Sequence, residues 1–412
     1  MQVLVLTHID LHEEVADKQG VDRRLQLFLD ALGGLGARFS MVHLVQPELA
    51  AAAPDPARLA LSQARYWGQE VTSVALLPRA HPSPPTAWSY YGAGILQAAD
   101  QPPLRSFAGP EQAAALARLL DTTPHDLVFA HRLPGMCALL RSGRRPPRVF
   151  FDLDDLEHVV RLRTTLRPPL WPGKLATLAQ LPALLAAELR GAALARLSFV
   201  CSSADATHMG RFPGGGRFVA VPNAVAVPAA PPPLPAAPTI LFLGACDYPP
   251  NMVAAERLAT RVLPRIRARL PAARALIAGR GSERLPSAAA PPEGAEYLGF
   301  VPDLDTLYAR ARIVCAPIET GGGTRVKLVE AAGYGRPMVS TRLGAEGLDF
   351  AAGSEILLAD DDTGLAEGCL RLLLDDSAAQ AMGEAARARM RATYDAAAIS
   401  RWLGGLMGEA LA

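Results

Sequence analysis

Residues 224–238, Ala-Val-Ala-Val-Pro-Ala-Ala-Pro-Pro-Pro-Leu-Pro-Ala-Ala-Pro, carry six prolines in fifteen positions. Proline fixes φ, donates no backbone hydrogen bond and clashes with a preceding helical turn, so this stretch builds neither a helix nor a central strand. It reads as an extended spacer. A chain of 412 residues exceeds one ordinary core, and the spacer marks where it divides. The expected layout is an N-terminal domain at 1–223, the linker at 224–238 and a C-terminal domain at 239–395. A last helix at 396–412 is expected to pack back toward the N-terminal domain.

On both sides of the spacer, apolar runs of strand length take turns with helical periodicity. Strands are predicted at 2–8, 39–45, 72–77, 126–130, 148–152, 197–201 and 217–221, with helices at 21–32, 56–67, 110–120, 133–142, 175–195 and 203–210. After the spacer, strands are predicted at 239–243, 274–278, 296–300, 312–317, 337–341 and 355–358. Helices there are predicted at 251–268, 303–311, 324–332, 362–374, 377–392 and 396–410. This alternation specifies α/β architecture with parallel sheets covered on both faces. Two doubly wound domains imply a cleft at the strand ends, where such folds bind ligands.

The most informative local stretch is Glu319-Thr-Gly-Gly-Gly-Thr-Arg-Val-Lys-Leu-Val-Glu330. It reads as strand, glycine loop and helix. Gly321, Gly322 and Gly323 bring bare N–H groups close to a ligand, and a helix starting at Thr324 adds unpaired amides and positive dipole charge. Phosphate is the natural guest. On a helical wheel Lys327, Glu330 and Tyr334 share a sector opposite Leu328, Val329 and Ala332. That face either holds a cation and a carboxylate over the loop's guest or is an ordinary solvated Lys/Glu pair. No Gly-Lys-Ser/Thr follows the loop, so it is not a Walker motif.

Other function classes lose ground on composition. Forty-one basic and forty acidic residues give a formal charge of +1, which provides no bulk attraction for nucleic acid. The loop after the first strand, His8-Ile-Asp-Leu-His12 through Gly20-Val-Asp-Arg23-Arg24, lacks Gly-x-Gly-x-x-Gly and so the dinucleotide fingerprint. No uninterrupted apolar stretch of membrane-spanning length and no signal-like N-terminus is read, and the expected location is cytoplasmic. Five dispersed cysteines without Cys-x-x-Cys read as buried thiols.

Several motifs in family order carry a resemblance. They are Cys201-Ser-Ser-Ala-Asp205, Val221-Pro-Asn-Ala-Val225, Phe242-Leu-Gly-Ala-Cys-Asp-Tyr-Pro-Pro-Asn251, Leu276-Ile-Ala-Gly-Arg280, Leu298-Gly-Phe-Val-Pro-Asp303, the glycine stretch and Gly344-Ala-Glu-Gly-Leu348. Together they resemble the retaining glycosyltransferases of family 4, built as two facing Rossmann-like domains in the B-type glycosyltransferase fold. The first 190 or so residues match only in architecture.

The resemblance implies transfer of a sugar from a nucleotide-diphosphate donor to an unidentified acceptor, a glycan, lipid-linked sugar or small molecule, with no metal or other cofactor. The donor site it implies comprises Gly244, Asn251, Arg280, Glu319, Gly321, Gly322, Gly323, Thr324 and Arg325. Glu330 is implied to bind the ribose hydroxyls and Lys327 to neutralise the diphosphate. Two departures stand out. The family's first glutamate falls on Gly322, with Glu319 nearby but out of register, and the Arg and Lys usual after the first donor-domain strand are absent. No nucleophilic carboxylate is evident, so attack on the face the leaving group departs from is the expected mechanism. The alternatives are a catalytically inactive nucleotide-sugar-binding protein on the same fold, or a sugar phosphorylase, which needs a pyridoxal-bearing lysine and a longer chain.

In the N-terminal half His131 follows a strand at the end that faces the cleft, where relatives carry a functional histidine; it reads as catalytic or as structural. His8, His12 and Gly20 are acceptor-side candidates. Asp152-Leu-Asp154-Asp155 invites a metal reading, against the alternative that Asp154 or Asp155 caps the following helix. The basic groups Arg141/Arg144/Arg145/Arg148 and Arg161/Arg163/Arg167/Trp171/Lys174 read as solvated loops or as peripheral contact with an anionic membrane face. Trp88, Tyr90 and Tyr91 read as core or as a stacking surface for a sugar.

Overall fold

The computed structural model describes the chain apart from residues 12–19, 53–54, 80–86, 169–171, 215, 227 and 322–323, and for 87–91, 102–103 and 172 it describes the backbone alone. The described residues divide into two compact units, Met1–Val221 with Ala398–Ala412, and Pro222–Ala397.

Among the described residues, the first unit is built on a seven-stranded sheet in the order β3-β2-β1-β4-β5-β6-β7. Its strands are β1 (Gln2–Thr7), β2 (Arg38–Val45), β3 (Val71–Pro78), β4 (Leu127–His131), β5 (Val149–Asp154), β6 (Leu197–Val200) and β7 (Phe218–Ala220). Every pairing is parallel. Val3 to Leu6, Leu127 to Ala130 and Val149 to Phe151 are at most 1% exposed. Helices therefore cover both faces of this sheet, which is why these strands read as unbroken apolar runs. The last helix, Ala396–Leu411, belongs largely to this unit: Ser400 Oγ donates to Leu27 O at 3.2 Å, and Leu403 and Met407 are buried.

The second unit has the order β10-β9-β8-β11-β12-β13. The strands are β8 (Thr239–Leu243), β9 (Arg274–Ala278), β10 (Ala295–Gly299), β11 (Ile313–Ala316), β12 (Met338–Ser340) and β13 (Leu357–Leu358). Both sheets therefore place their first strand beside their fourth, the doubly wound order.

The proline stretch does not hang free. Arg336 Nη2 donates to Pro232 O at 2.8 Å, Arg387 Nη2 to Pro228 O at 3.0 Å and Arg312 Nη1 to Pro235 O at 3.0 Å. A segment poor in N–H donors still carries every carbonyl, and arginines of the second unit donate to them.

Two local expectations are corrected. The helix expected from Thr324 runs Val326–Gly333, with Arg325 extended at its N-cap. Thr324 stays outside because its hydroxyl accepts from Asn223 Nδ2 at 2.8 Å. The single helix expected at 251–268 is Pro249–Arg257, a π-turn Leu258–Val262 and Leu263–Arg267. Pro264 removes a ladder donor just there, and a π-turn accommodates such a gap.

Candidate functional site

In the second unit the chain leaves β8 toward β9 on one side, while β11 lies on the other. Loops after such neighbouring strands splay apart and open a crevice at their carboxyl ends. The loop after β8 begins at Gly244 and leads into helix Pro249–Arg257, which carries Asn251. The loop after β11 leads into helix Val326–Gly333, which carries Lys327 and Glu330.

Three of these residues meet. Lys327 Nζ donates to Asn251 Oδ1 at 2.7 Å and lies 4.1 Å from the centre of the Phe242 ring. Asn251 Nδ2 donates to Ala245 O at 2.9 Å, which settles the carboxamide's orientation. Gly244 makes room for both: a Cβ there would stand 2.5 Å from Lys327 Nζ and 2.9 Å from Asn251 Nδ2. Gly279, at φ +127°, lets the loop after β9 close in, since a Cβ on it would sit 2.1 Å from Gly244 O. Burial first, then the neighbouring Arg325, push the Lys327 ammonium down to about 7, against the pull of Cys246 and Glu330.

The glycine loop reaches the same region. Gly321 has φ +98°, and a Cβ on it would lie 3.2 Å from both Tyr248 Oη and Pro250 Cγ and 3.5 Å from Arg325 Nη2. Gly322 and Gly323 lie outside the described residues. Glu330 is 8% exposed, one turn beyond Lys327. The expectation of an open helix face is corrected: Tyr334 is buried, stacks on Tyr308 at 4.0 Å and donates to Asp305 Oδ1 at 2.7 Å.

Glu319 and Arg280 are engaged elsewhere. Glu319 Oε1 lies 3.3 Å from Nη1 of Arg257, a buried hub that also donates to Asp362 Oδ1 and Asp360 O, each at 2.7 Å. Arg280 Nε donates to Asp247 Oδ2 at 3.1 Å in a half-exposed pair. Sequence reasoning missed Phe242 and Arg257. Phe242 opens a motif quoted for the resemblance but looks like any core aromatic, so its contact with Lys327 was not foreseen, and Arg257 looks like any surface helix arginine.

The first unit has its own polar cluster at the matching position, where β1 and β4 part. Thr7 Oγ1 and His131 Nδ1 are 3.0 Å apart, and the His8 ring stacks on His131 with centres 6.0 Å apart. Burial pushes His131 well below its ordinary value, helped by His8, Arg132 and Arg24; burial, Arg132 and Arg79 push His8 down to about 3. Both rings are neutral near neutral pH. Beneath them Arg24 grips Asp152 through contacts of 2.7 to 3.0 Å, with both side chains buried. Burial opposes the Arg24 charge, but Asp152 and Asp154 outweigh it and raise its proton affinity; burial raises Asp152.

Asp154 and Arg132 both have left-handed backbones, φ +64° and +59°, rare for side-chain-bearing residues, and face each other at 3.5 Å. The capping expectation for Asp154 and Asp155 is corrected. The N-cap of helix Glu157–Leu166 is Leu156, and the buried Glu188 accepts from His158 N at 3.2 Å instead. Asp154 is turned to Arg24 and Arg132. Asp154, Asp155 and Cys201 bring ligand atoms within 4.8 Å of one another. A cation there would compete with both arginines, and burial raises the Cys201 thiol. Gly20 opens helix Gly20–Gly33 and is exposed. His12 and Trp171 lie outside the described residues, as do the side chains of Trp88, Tyr90 and Tyr91.

Comparison with known proteins bears on the second unit first. Residues 237–375 match the family model of glycosyl transferases, group 1. That group 1 segment contains Gly244, Asn251, Lys327 and the glycine loop. A phosphatidyl-myo-inositol mannosyltransferase of Mycolicibacterium smegmatis is 35% identical over 144 residues, 34% of this chain and 36% of the relative's length. Solved structures match along the whole chain. Sucrose-phosphate synthase from Thermosynechococcus elongatus has a TM-score of 0.69 at 15% identity, covering 99% of each chain. Anabaena HepE, solved with UDP and glucose, scores 0.62 at 13% identity, again over 99% of each. α,α-Trehalose 6-phosphate synthase from Burkholderia multivorans scores 0.64 at 15% identity, covering 100% of this chain and 98% of its own. The fold is that of the B-type glycosyltransferases, two Rossmann-like units on parallel sheets.

Proposed function

We propose that this protein is a retaining glycosyltransferase that moves a sugar from a nucleoside-diphosphate sugar to an acceptor hydroxyl. The observation that carries the reading is the meeting of Gly244, Asn251 and Lys327 beside the glycine loop, at the switch point of the group 1 segment. The mannosyltransferase relative and the UDP-bound HepE support a sugar-nucleotide donor.

In this reading the bond from the sugar's anomeric carbon to the β-phosphate oxygen breaks while the acceptor oxygen bonds on the same face. The departing phosphate takes the acceptor's proton. Lys327 and Arg325, with the amides of the glycine loop, stabilise the charge that builds on the diphosphate, and Glu330 accepts from the ribose hydroxyls. A same-face route needs no carboxylate nucleophile, and Glu319, the acidic residue nearest the loop in sequence, is held by Arg257. No metal is required in this scheme.

Purified protein incubated with UDP- and GDP-sugars and an acceptor panel should release diphosphate and form a product with the donor's anomeric configuration by NMR. EDTA should leave the rate unchanged. An inverted product, or activity lost to EDTA and restored by manganese, refutes the mechanism. The inactive-binder reading draws on the engagement of Glu319, and it prevails if nucleotide binds tightly with no turnover on any donor.

Membrane contact is a further part of the reading. No helix among the described residues is long and apolar enough to cross a membrane. Helix Glu157–Leu166 exposes Leu162 and Leu166 between Arg161, Arg163 and Arg167, a pattern suited to an anionic bilayer surface. Vesicles rich in phosphatidylglycerol should sediment the protein and pure phosphatidylcholine should not; equal sedimentation rejects the assignment.

A further inference from the structure

The cation at the switch point of the second sheet is held by neutral groups. The Asn251 carboxamide accepts from Lys327 Nζ at 2.7 Å, and the Phe242 ring lies 4.1 Å below it. The carboxamide cannot turn its nitrogen toward the amine without giving up its own bond to Ala245 O at 2.9 Å. Around them, Arg325 from the glycine loop disfavours a proton on the amine, while Cys246 from the loop after β8 and Glu330 from the same helix favour it. A carboxylate in place of Asn251 would make a closed ion pair. The carboxamide instead orients the amine and leaves its charge to be satisfied by something else.

We propose that Asn251 is a positioning residue, holding the Lys327 amine against Gly244 without neutralising it, and that capture of a nucleoside diphosphate there draws a proton from solvent onto that amine. The proposal rests on the donor-site reading. The balance is simple: a free-base amine and one solvent proton give an ammonium beside the diphosphate, and no other bond changes. Burial and then Arg325 push Lys327 down to about 7, so near neutral pH the amine is divided between its two forms. A bound diphosphate supplies the missing counter-charge and moves the balance to the ammonium. Affinity is then greatest below about pH 7 and weakens about tenfold per pH unit above it, until the amine of the complex itself titrates.

Calorimetric titration with UDP and with GDP, in buffers of low and high ionisation enthalpy between pH 7 and 8.5, reads this directly. The terminal phosphate has its titration midpoint near pH 6, so at pH 7.5 only about 3% of it still carries a proton to release, a small correction to the uptake. The wild type should take up about 0.8 proton per nucleotide at pH 7.5. Asn251→Asp supplies a fixed counter-charge, so proton uptake should vanish and affinity at pH 7 should fall about tenfold or more. Lys327→Met should lose both uptake and pH slope, and covers the case in which the aspartate variant does not fold. Binding without proton uptake in the wild type, uptake that survives Lys327→Met, or a folded Asn251→Asp that keeps the wild-type slope overturns the proposal. Failure of the wild type to bind either nucleotide sinks the donor-site reading, and this proposal with it.

Discussion

Gly244→Ala separates site from scaffold. The added methyl would stand 2.5 Å from Lys327 Nζ and 2.9 Å from Asn251 Nδ2, about an ångström inside normal contact. The atoms in the way are ends of side chains, and the lysine end can swing aside. Overpacking of this kind should cost about 1 kcal/mol of stability. The displaced ammonium, however, loses its bond to the diphosphate, and a hydrogen bond to a charged partner is worth about 1.5–3 kcal/mol. Nucleoside-diphosphate affinity should therefore fall about 10- to 100-fold, at about 1.4 kcal/mol per tenfold step. Gly279→Ala is the control. Its methyl would meet backbone, Gly244 O at 2.1 Å, and its φ of +127° excludes a side chain, so the expected cost is about 2–5 kcal/mol of fold stability. Urea denaturation and calorimetry with UDP and GDP on both variants would measure the two effects. A Gly244→Ala protein that melts normally and binds nucleotide as tightly as wild type would falsify the placement of the phosphate cation.

Glu330→Gln keeps the shape of a residue that is 8% exposed but weakens its acceptor, so diphosphate-nucleoside affinity should drop about tenfold or more with little change in melting; unchanged affinity removes Glu330 from the ribose. Arg24→Met leaves buried Asp152 without its fork and should cost about 3–5 kcal/mol in chemical denaturation, much of it recovered in Arg24→Met/Asp152→Leu; a loss under 1 kcal/mol means the pair is not holding the first unit together. His8 stays neutral in the fold down to about pH 3, whereas an unfolded histidine charges near 6.5. The unfolded chain therefore binds more protons in that window, and stability should fall as pH drops below about 6.5, by up to about 1.4 kcal/mol per unit from this group. His8→Asn should reduce that slope between about pH 6.5 and 5 by this group's share, leaving what buried His131 contributes, and an unaltered slope rejects the assignment.

Much of the architecture was legible in residue order. Apolar runs marked nearly all the strands because parallel strands covered on both faces need no polar side, and glycine loops and prolines punctuated them. Helices Ala87–Leu96 and Glu157–Leu166 were not read, the first because its apolar residues show no helical period and the second because five of its ten residues are charged or exposed leucines. The start of the helix carrying Lys327 was placed two residues early because Asn223, a hundred residues away, takes up Thr324.

The sequence by itself determined the α/β class and named the candidate residues of the glycine loop, since these follow from local periodicity, backbone chemistry and motif order. Only the tertiary structure decided what each side chain does with its charge. Glu319 goes to Arg257 and Asp154 to two arginines, while Lys327 meets a carboxamide and a ring where a missing Cβ leaves space. Partners so distant in the chain come together only when the strands pack, and an ionisable group's protonation is set by that burial and those partners, which no local pattern records.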